Sequence, residues 1–506
     1  MNQLKAGIIL NYLFIFINLI VGLLYTPYML GMMGQSEYGL YSLVASVIAY
    51  LTILDLGLGN ALIRYTAKFR SEGREREQQE MFGMFLMLYI GIGIVASLIG
   101  VGLLHNVDSL FGDTMTTYEL GRARTMMWLL VANLAITFPM SIFGSIITAY
   151  ERFVFAKGLN IARLVLNTAV MIALLSFGYK AVAMVVVQTV FNIATLIINL
   201  LYCKYRLKIA IIFGKIRWEL LQEVAIYSFW IFINIIIDRI YWSTGQFVLG
   251  AKVGTVAVAI FAVAIQLQQM YMAFSTAISG VFLPKVTAMV ARGAHNKEIS
   301  DIFIRVGRIQ YIVISLLLYG FMVFGRAFIE LWAGEEFSKV YPIALLFFLS
   351  LTIPMIQNIG ITILQARNQM RFRSLLYIAI ALLSLVAQVI LAEEYGALGC
   401  AIAISGALLL GHGLIMNIYY NRSQHINIAT FWKEIVKMSM WPILITIATY
   451  YILQQNICLD SWLSLSLGVA IYTIVYVIGL PLFVMNDYER GLVASIVAKL
   501  RTIIAR

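Results

Sequence analysis

MFGMFLMLYIGIGIVASLIGVGLL, residues Met81–Leu104, runs for twenty-four positions without a charge. A helix rises about 1.5 Å per residue and a bilayer's hydrocarbon core is about 30 Å thick, so roughly 20 apolar residues cross it. The stretch is therefore long enough to span. It is one of many: Gly7–Met32 and Leu463–Met485 meet the same standard, and working outward the apolar runs fall near 7–32, 40–65, 81–104, 125–149, 158–177, 182–203, 225–249, 257–283, 309–325, 341–365, 374–392, 399–420, 438–454 and 463–485. The expected fold class is an all-α polytopic membrane protein with about 14 transmembrane helices. With 62% hydrophobic and 12% charged residues, no sizeable soluble domain is left to carry a conventional active site.

The formal net charge is +12, which in a soluble protein would suggest nucleic acid. Its distribution says otherwise. With the amino terminus placed in the cytoplasm, 27 of the 36 Lys and Arg fall in inward segments and six in outward loops, while Arg64, Arg163 and Arg239 lie within spans. That asymmetry is what the positive-inside rule predicts, so both termini are expected in the cytoplasm and no nucleic acid is expected as a partner. Cys203, Cys400 and Cys458 are too few and scattered for a disulfide framework or metal site. His105, His295, His412 and His425 form no i, i+4 pair. The first apolar run is too long for a signal-peptide core and is expected to stay as the first membrane helix. The sequon Asn421-Arg422-Ser423 falls in a basic cytoplasmic loop and is read as a chance match.

The organisation expected is a six-helix lobe over 1–203, a cytoplasmic interfacial linker over 204–224, a second six-helix lobe over 225–420, and two extra helices with an amphipathic tail over 421–506. Six is even, so the lobes would be parallel pseudo-repeats with a substrate path between them. In Tyr205–Val224, Arg206, Lys208, Lys215 and Arg217 alternate with Ile209, Ile211, Ile212, Phe213 and Trp218; in Glu489–Arg506, Leu492, Ile496, Leu500 and Ile503 share one helical face. Both read as basic amphipathic segments lying on an anionic membrane surface.

No Gly-x4-Gly-Lys-Ser/Thr run is present, so nucleotide hydrolysis is not expected. Ionisable groups inside spans are costly and commonly face a cavity or a partner. Asp55 stands in the second span, with Gly57 and Gly59 beside it to permit close packing or a bend. Arg64, nine residues on, either snorkels to the inner interface or faces the cavity. In the seventh span Asn234, Asp238, Tyr241 and Gly245 form one polar stripe, and Arg239 with Gln246 a second. A charge pair satisfied between packed helices would explain them. A hydrated cavity explains them better, because the eighth span supplies Gln266, Gln268 and Gln269 at similar depth, and desolvating so many polar groups gains a packed bundle little. Pro27, Pro139, Pro284 and Pro354 mark candidate bends. Asp55 and Asp238 are the candidate ion-coupling groups; the candidate substrate and cavity residues are Arg64, Asn234, Asp238, Arg239, Tyr241, Gln266 and Gln269.

Leu30-Gly31-Met32-Met33-Gly34-Gln35-Ser36-Glu37-Tyr38-Gly39-Leu40-Tyr41-Ser42-Leu43, then Asp55 through Tyr65 with Ala67-Lys68, resembles the polysaccharide flippases, the O-antigen and capsule (Wzx-type) branch of the multidrug/oligosaccharidyl-lipid/polysaccharide exporter superfamily. Asp238-Arg239 and Leu283-Pro284-Lys285 look like that family's second lobe. The resemblance implies two lobes that alternate between inward and outward openings in a bacterial inner membrane. It implies a cargo of undecaprenyl-diphosphate-linked oligosaccharide, moved to the periplasmic leaflet for surface polysaccharide and lipopolysaccharide synthesis. Membrane lipids, a polysaccharide polymerase and glycosyltransferases are the implied partners. No enzyme activity and no cofactor are expected, and because no nucleotide site is visible, transport is expected to draw on an ion gradient, of H+ or Na+. Helix 1 has no charge between Lys5 and Glu37, unlike the more arginine-rich peptidoglycan-precursor branch, and an ion-coupled multidrug exporter of the same superfamily is the alternative. The outward loops are too short for a glycan polymerase or ligase; the longest, His105–Arg124, is a modest hairpin.

Overall fold

The computed structural model describes residues 3–214, 217–367, 369–454, 459–491 and 494. Every regular element among them is helical, with no strand. By internal contacts the chain forms two compact units: Met1–Ala262 with Gln388–Ala397, and Val263–Ala387 with Leu398–Arg506. Among the described residues, eleven helices are long and apolar enough to cross a membrane, or twelve when one bent pair is taken as a single span. This is a multi-pass membrane protein. The count differs from the expected fourteen at two places, where continuous runs of 63 residues (Ile9–Ser71) and 52 residues (Arg371–Arg422) each cover two expected spans.

The first unit begins with α1 (Gln3–Leu51), followed by α2 (Leu58–Ser71) and α3 (Glu75–His105). The short α4 (Val107–Phe111) leads to α5 (Thr117–Ala149), then α6 (Phe153–Ser176), α7 (Ala181–Tyr205), α8 (Trp218–Trp242) and α9 (Thr244–Lys252). α1 is not one rod. At Gly34 the backbone turns to φ 76°, ψ 170°, a region essentially reserved for glycine. The corner this makes is held by polar contacts. Glu37, 7% exposed, accepts from Arg122 at 2.6 Å and from the Ala181 amide at 3.3 Å. Glu119, which also completes the capping box that starts α5, accepts from Ser36 at 2.5 Å and from Thr255 at 2.9 Å. At Gly39 the main chain comes so close to the Thr255 carbonyl that a Cβ would stand 1.8 Å from it.

α5 packs along both α3 and α7. Gly100 of α3 lets Val131 approach, where a Cβ would meet it at 2.5 Å, and Asn192 of α7 donates to Asn133 and Thr137 of α5 at 2.9 and 2.8 Å. The amphipathic linker departs from expectation. Its described residues between Arg206 and Arg217 are irregular, not helical, and Ile212 donates its amide to Gln79 at the start of α3 at 3.2 Å. Near-alternate placing of basic and apolar residues suits an extended chain better than a helix of 3.6 residues per turn. The tail beyond Gly491 lies outside the described residues, apart from Ala494.

α10 (Thr255–Ala291) runs from the first unit into the second. The second unit continues with α11 (Asn296–Ala333), α12 (Val340–Ile356), α13 (Ile359–Ala366) and α14 (Arg371–Leu408), whose stretch Gln388–Ala397 belongs to the first unit. A π-helical segment, Leu409–Ile415, follows, then α15 (Met416–Arg422), α16 (Ile428–Leu453), α17 (Trp462–Gly479) and a second π-helical turn, Leu480–Val484. α11 is the hub, packed by α12, α16 and α17. Arg308 on α11, with its side chain 5% exposed, forks onto Glu489 at 2.7 and 2.8 Å, reaches Glu434 of α16, and donates to the Val484 carbonyl at 2.9 Å. Ser315 and Tyr476 add a polar tie from α11 to α17 at 2.7 Å. Of the expected bends, Pro27 and Pro139 sit inside α1 and α5, and Pro284 lies in α10. Pro354 precedes a 41° bend between α12 and α13. α14 is interrupted at Gly396, φ 56°.

Candidate transport site

The second expected span is broken at Asp55. After α1 the chain tightens into a 3₁₀ turn, Thr52–Asp55, and Leu56 (φ 54°) and Gly57 (φ 73°) both turn left-handed before α2 restarts at Leu58. A left-handed leucine costs about 1–2 kcal/mol, and such strain concentrates where function needs a fixed geometry. The break leaves main-chain donors uncommitted beside an acid. The amides of Gly57 and Gly59 and the Tyr89 hydroxyl face the Asp55 carboxylate. Tyr89 is fully buried; its hydroxyl lies near Asp55 and Ser141 without closing a hydrogen bond of ordinary geometry to either. α8 closes over this corner, where a Cβ on Gly57 would meet Ile231 at 2.7 Å. The result is a carboxylate held at a helix N-terminus, next to polar groups with spare capacity. That can bind a small cation or a proton.

Arg64 projects from α2 and is exposed, with its guanidinium 4.7 Å from the centre of the Tyr227 ring of α8. Arg239 is half-buried on α8; its Nε is buried without a hydrogen-bond partner, and its charge lies near the Tyr50 hydroxyl of α1. Tyr50 is hydrogen-bonded in turn to Thr244. The stripe expected along the seventh span divides. Asn234 and Asp238 are exposed, Tyr241 is 7% exposed, and the helix breaks at Ser243. Gly245 therefore belongs to α9, where a Cβ would strike the Phe261 ring at 2.6 Å. In the first unit the structure groups Asp55 with Tyr89, and Arg64 with Tyr227. Gln266 and Gln269 belong to the second unit, half-buried and exposed respectively, and the intervening Gln268 is buried with its amide on Met272. Sequence reasoning missed Tyr89. A tyrosine amid the apolar run Met81–Leu104 was the available signal.

A family model described as "Polysaccharide biosynthesis protein" matches residues 4–290. The chain belongs to this family. Among solved structures it is similar to "Lipid II flippase MurJ, inward closed conformation", at TM-score 0.73 and 16% identity, covering 96% of this chain and 100% of that one. It is also similar to an inward-facing multidrug resistance MATE family transporter of the MOP superfamily, at TM-score 0.59 and 16% identity, covering 82% and 99%. An outward-facing conformation of a MATE family transporter matches at TM-score 0.53 and 14% identity, covering 85% and 94%. No curated protein matches. The fold is shared with these solved structures, a flippase and MATE family transporters.

Proposed function

We propose that the chain is a flippase that carries undecaprenyl-diphosphate-linked oligosaccharide from the cytoplasmic to the periplasmic leaflet of a bacterial inner membrane, for surface polysaccharides of the O-antigen or capsule type. The observation that carries the reading is its membership of a polysaccharide biosynthesis family, joined to a fold shared over 96% of its length with a lipid II flippase. On this reading the chain crosses the membrane fourteen times, the two long runs each crossing twice by turning near Gly34 and Gly396. Both termini are cytoplasmic, as the charge asymmetry favours. The lobes 1–203 and 225–420 alternate, and the contacts of Ser36, Gly39 and Glu119 with Thr255 part when the protein opens outward.

The diphosphate calls for cations, which Arg64 and Arg239 supply through charge-assisted hydrogen bonds. Asn234, Asp238, Tyr241, Gln266 and Gln269 are the polar groups assigned to the cavity. Asp55 or Asp238 takes up a proton or Na+, because a carboxylate in low dielectric favours neutralisation and two conformations that differ in ion affinity are what coupling requires. In proteoliposomes, lipid-linked oligosaccharide should cross faster with a proton or Na+ gradient, and either Asp55→Asn or Asp238→Asn should abolish the difference. Equal rates under every gradient would leave downhill flipping. Movement of small cationic drugs in place of the lipid-linked sugar would favour an ion-coupled drug exporter.

A further inference from the structure

Arg163 lies within a span and has no part in the site above. It stands on α6, which carries no acid along its length, and α1 carries none before Glu37. The two helices run side by side in the first unit. A Cβ at Gly7 would meet Phe153 at 2.5 Å, and the Tyr28 hydroxyl donates to the Ile172 carbonyl at 3.4 Å. These contacts fix direction and register: both helices leave the same surface, and equal steps along each reach nearly equal depth. At 1.5 Å per residue, Asn11 and Lys157 lie about 6 Å beyond the first contact, Asn160 about 10 Å, Asn18 and Arg163 about 15 Å, and Asn167 about 21 Å. At about 100° per residue, Asn11 and Asn18 fall within about 40° of Gly7 around α1, and Lys157, Asn160 and Asn167 within about 40° of Phe153 around α6. Arg163 is about 80° from Phe153, at the edge of the same seam. Polar side chains thus follow the junction of two largely apolar helices.

Amides in a seam between membrane helices ordinarily hydrogen-bond across it. These do not. Among the described residues, the side chains of Asn11, Asn18, Lys157, Asn160 and Arg163 make no hydrogen bond and no ion pair. Asn167 donates to the Met171 sulfur at 3.5 Å, while its Oδ1 is buried and unpartnered. Nor are the groups sealed in: Asn18 and Asn160 are exposed, and Asn11, Lys157 and Arg163 half-buried. Two cations and several amides left unpaired at this depth are costly, and neither helix supplies a carboxylate to offset them. Open donors on the cations call for an anion, and amides beside them for groups that both donate and accept. A phosphate joined to sugar hydroxyls has both. Depth narrows the choice. An ordinary phospholipid keeps its phosphate at the surface, near Lys157, and has no use for Asn18 and Asn167 further in. Snorkelling would draw Arg163 back towards that surface but would leave the same two amides unexplained. A lipid whose polar head passes through the membrane uses all of them.

We propose that the seam between α1 and α6 is a loading track on the first unit, where Lys157 and Arg163 take the diphosphate of a polyprenyl-linked glycan from the cytoplasmic leaflet and Asn18, Asn160 and Asn167 receive its sugar hydroxyls. This rests on the reading of the cargo above and adds a site separate from Arg64 and Arg239. The test uses the full-length protein in nanodiscs of phosphatidylethanolamine and phosphatidylglycerol, with undecaprenyl diphosphate added and both anionic lipids read by native mass spectrometry. Arg163→Gln should weaken undecaprenyl diphosphate about tenfold, through lost charge-assisted hydrogen bonds, and leave phosphatidylglycerol unchanged. Arg163→Lys, which keeps the charge without the fork, should fall between. Asn18→Leu with Asn160→Leu should weaken undecaprenyl-diphosphate-linked N-acetylglucosamine but not undecaprenyl diphosphate; equal binding of the glycosylated lipid by this variant and the wild type overturns the role of the amides. Equal weakening of phosphatidylglycerol in Arg163→Gln would make the seam a general phospholipid clamp, and undiminished undecaprenyl diphosphate would make Arg163 an anchor. Either overturns the proposal and leaves the cargo reading intact. A wild-type protein with no preference for undecaprenyl diphosphate over phosphatidylglycerol overturns both. If Arg163→Gln does not fold, Lys157→Gln decides by the same comparison.

Discussion

Gly34 and Gly39 are five residues apart and differ in what confines them. Gly34 has a glycine-only backbone with open space around it, whereas Gly39 is helical and pressed against the Thr255 carbonyl. Gly34→Ala should therefore cost only local strain, about 1–3 kcal/mol. Gly39→Ala must separate two stretches of main chain and should cost more, lowering the detergent melting temperature further than Gly34→Ala does. Equal melting temperatures would contradict the close approach. Arg308 tests a different kind of constraint. Arg308→Ala leaves Glu489 buried without its partner and should destabilise by about 3–5 kcal/mol, while Arg308→Met with Glu489→Leu and Glu434→Leu should recover most of the loss. Thermal melting of the purified variants decides this. Neither constraint was readable in advance, since both depend on residues far apart in sequence meeting. The chemistry at Asp55 was partly readable: an acid beside two glycines in a span announced an irregularity, but not which donors would face it.

Among elements, the helices were the legible part and their interruptions were not. Unbroken hydrophobicity marks a span, yet Gly34 and Gly396 turn the chain without any gap in helical composition, which is why fourteen expected spans sit on eleven or twelve continuous runs. The linker shows the opposite error, because composition suggested a surface helix where the chain is extended along α3. A Cβ at Gly83 would meet the Ile212 carbonyl at 2.2 Å. Gly83→Ala should therefore lift the linker off α3 and make residues 206–214 more sensitive to protease in inside-out vesicles. Arg217→Ala, which removes a partly exposed ion pair with Glu77, should leave stability nearly unchanged, because solvent screens such a pair. Unchanged cleavage in Gly83→Ala would show that α3 and the linker are not held together there.

For the whole molecule, reporter fusions after Thr66, Lys204 and Asn421 should report cytoplasm, and fusions after Gln35, Lys252 and Gln455 periplasm. Two or more exchanged positions would refute the fourteen-crossing topology. In the same strains, Asp238→Ala and Arg239→Ala should lower surface polysaccharide while the protein still reaches the membrane; normal complementation by both would remove them from the cavity. The corner at Gly39 also sets a timetable for synthesis. Its partner Thr255 is made more than 200 residues later, which at about 5–20 residues per second is roughly 10–40 s. During that interval the first helices must wait in the membrane with Ser36 and Glu119 lacking the hydroxyl that completes their contacts. The nascent chain consequently needs shelter from the insertion machinery until the start of α10 has been laid down, so slowing elongation between α7 and α10 should expose the protein to degradation more than slowing it anywhere later.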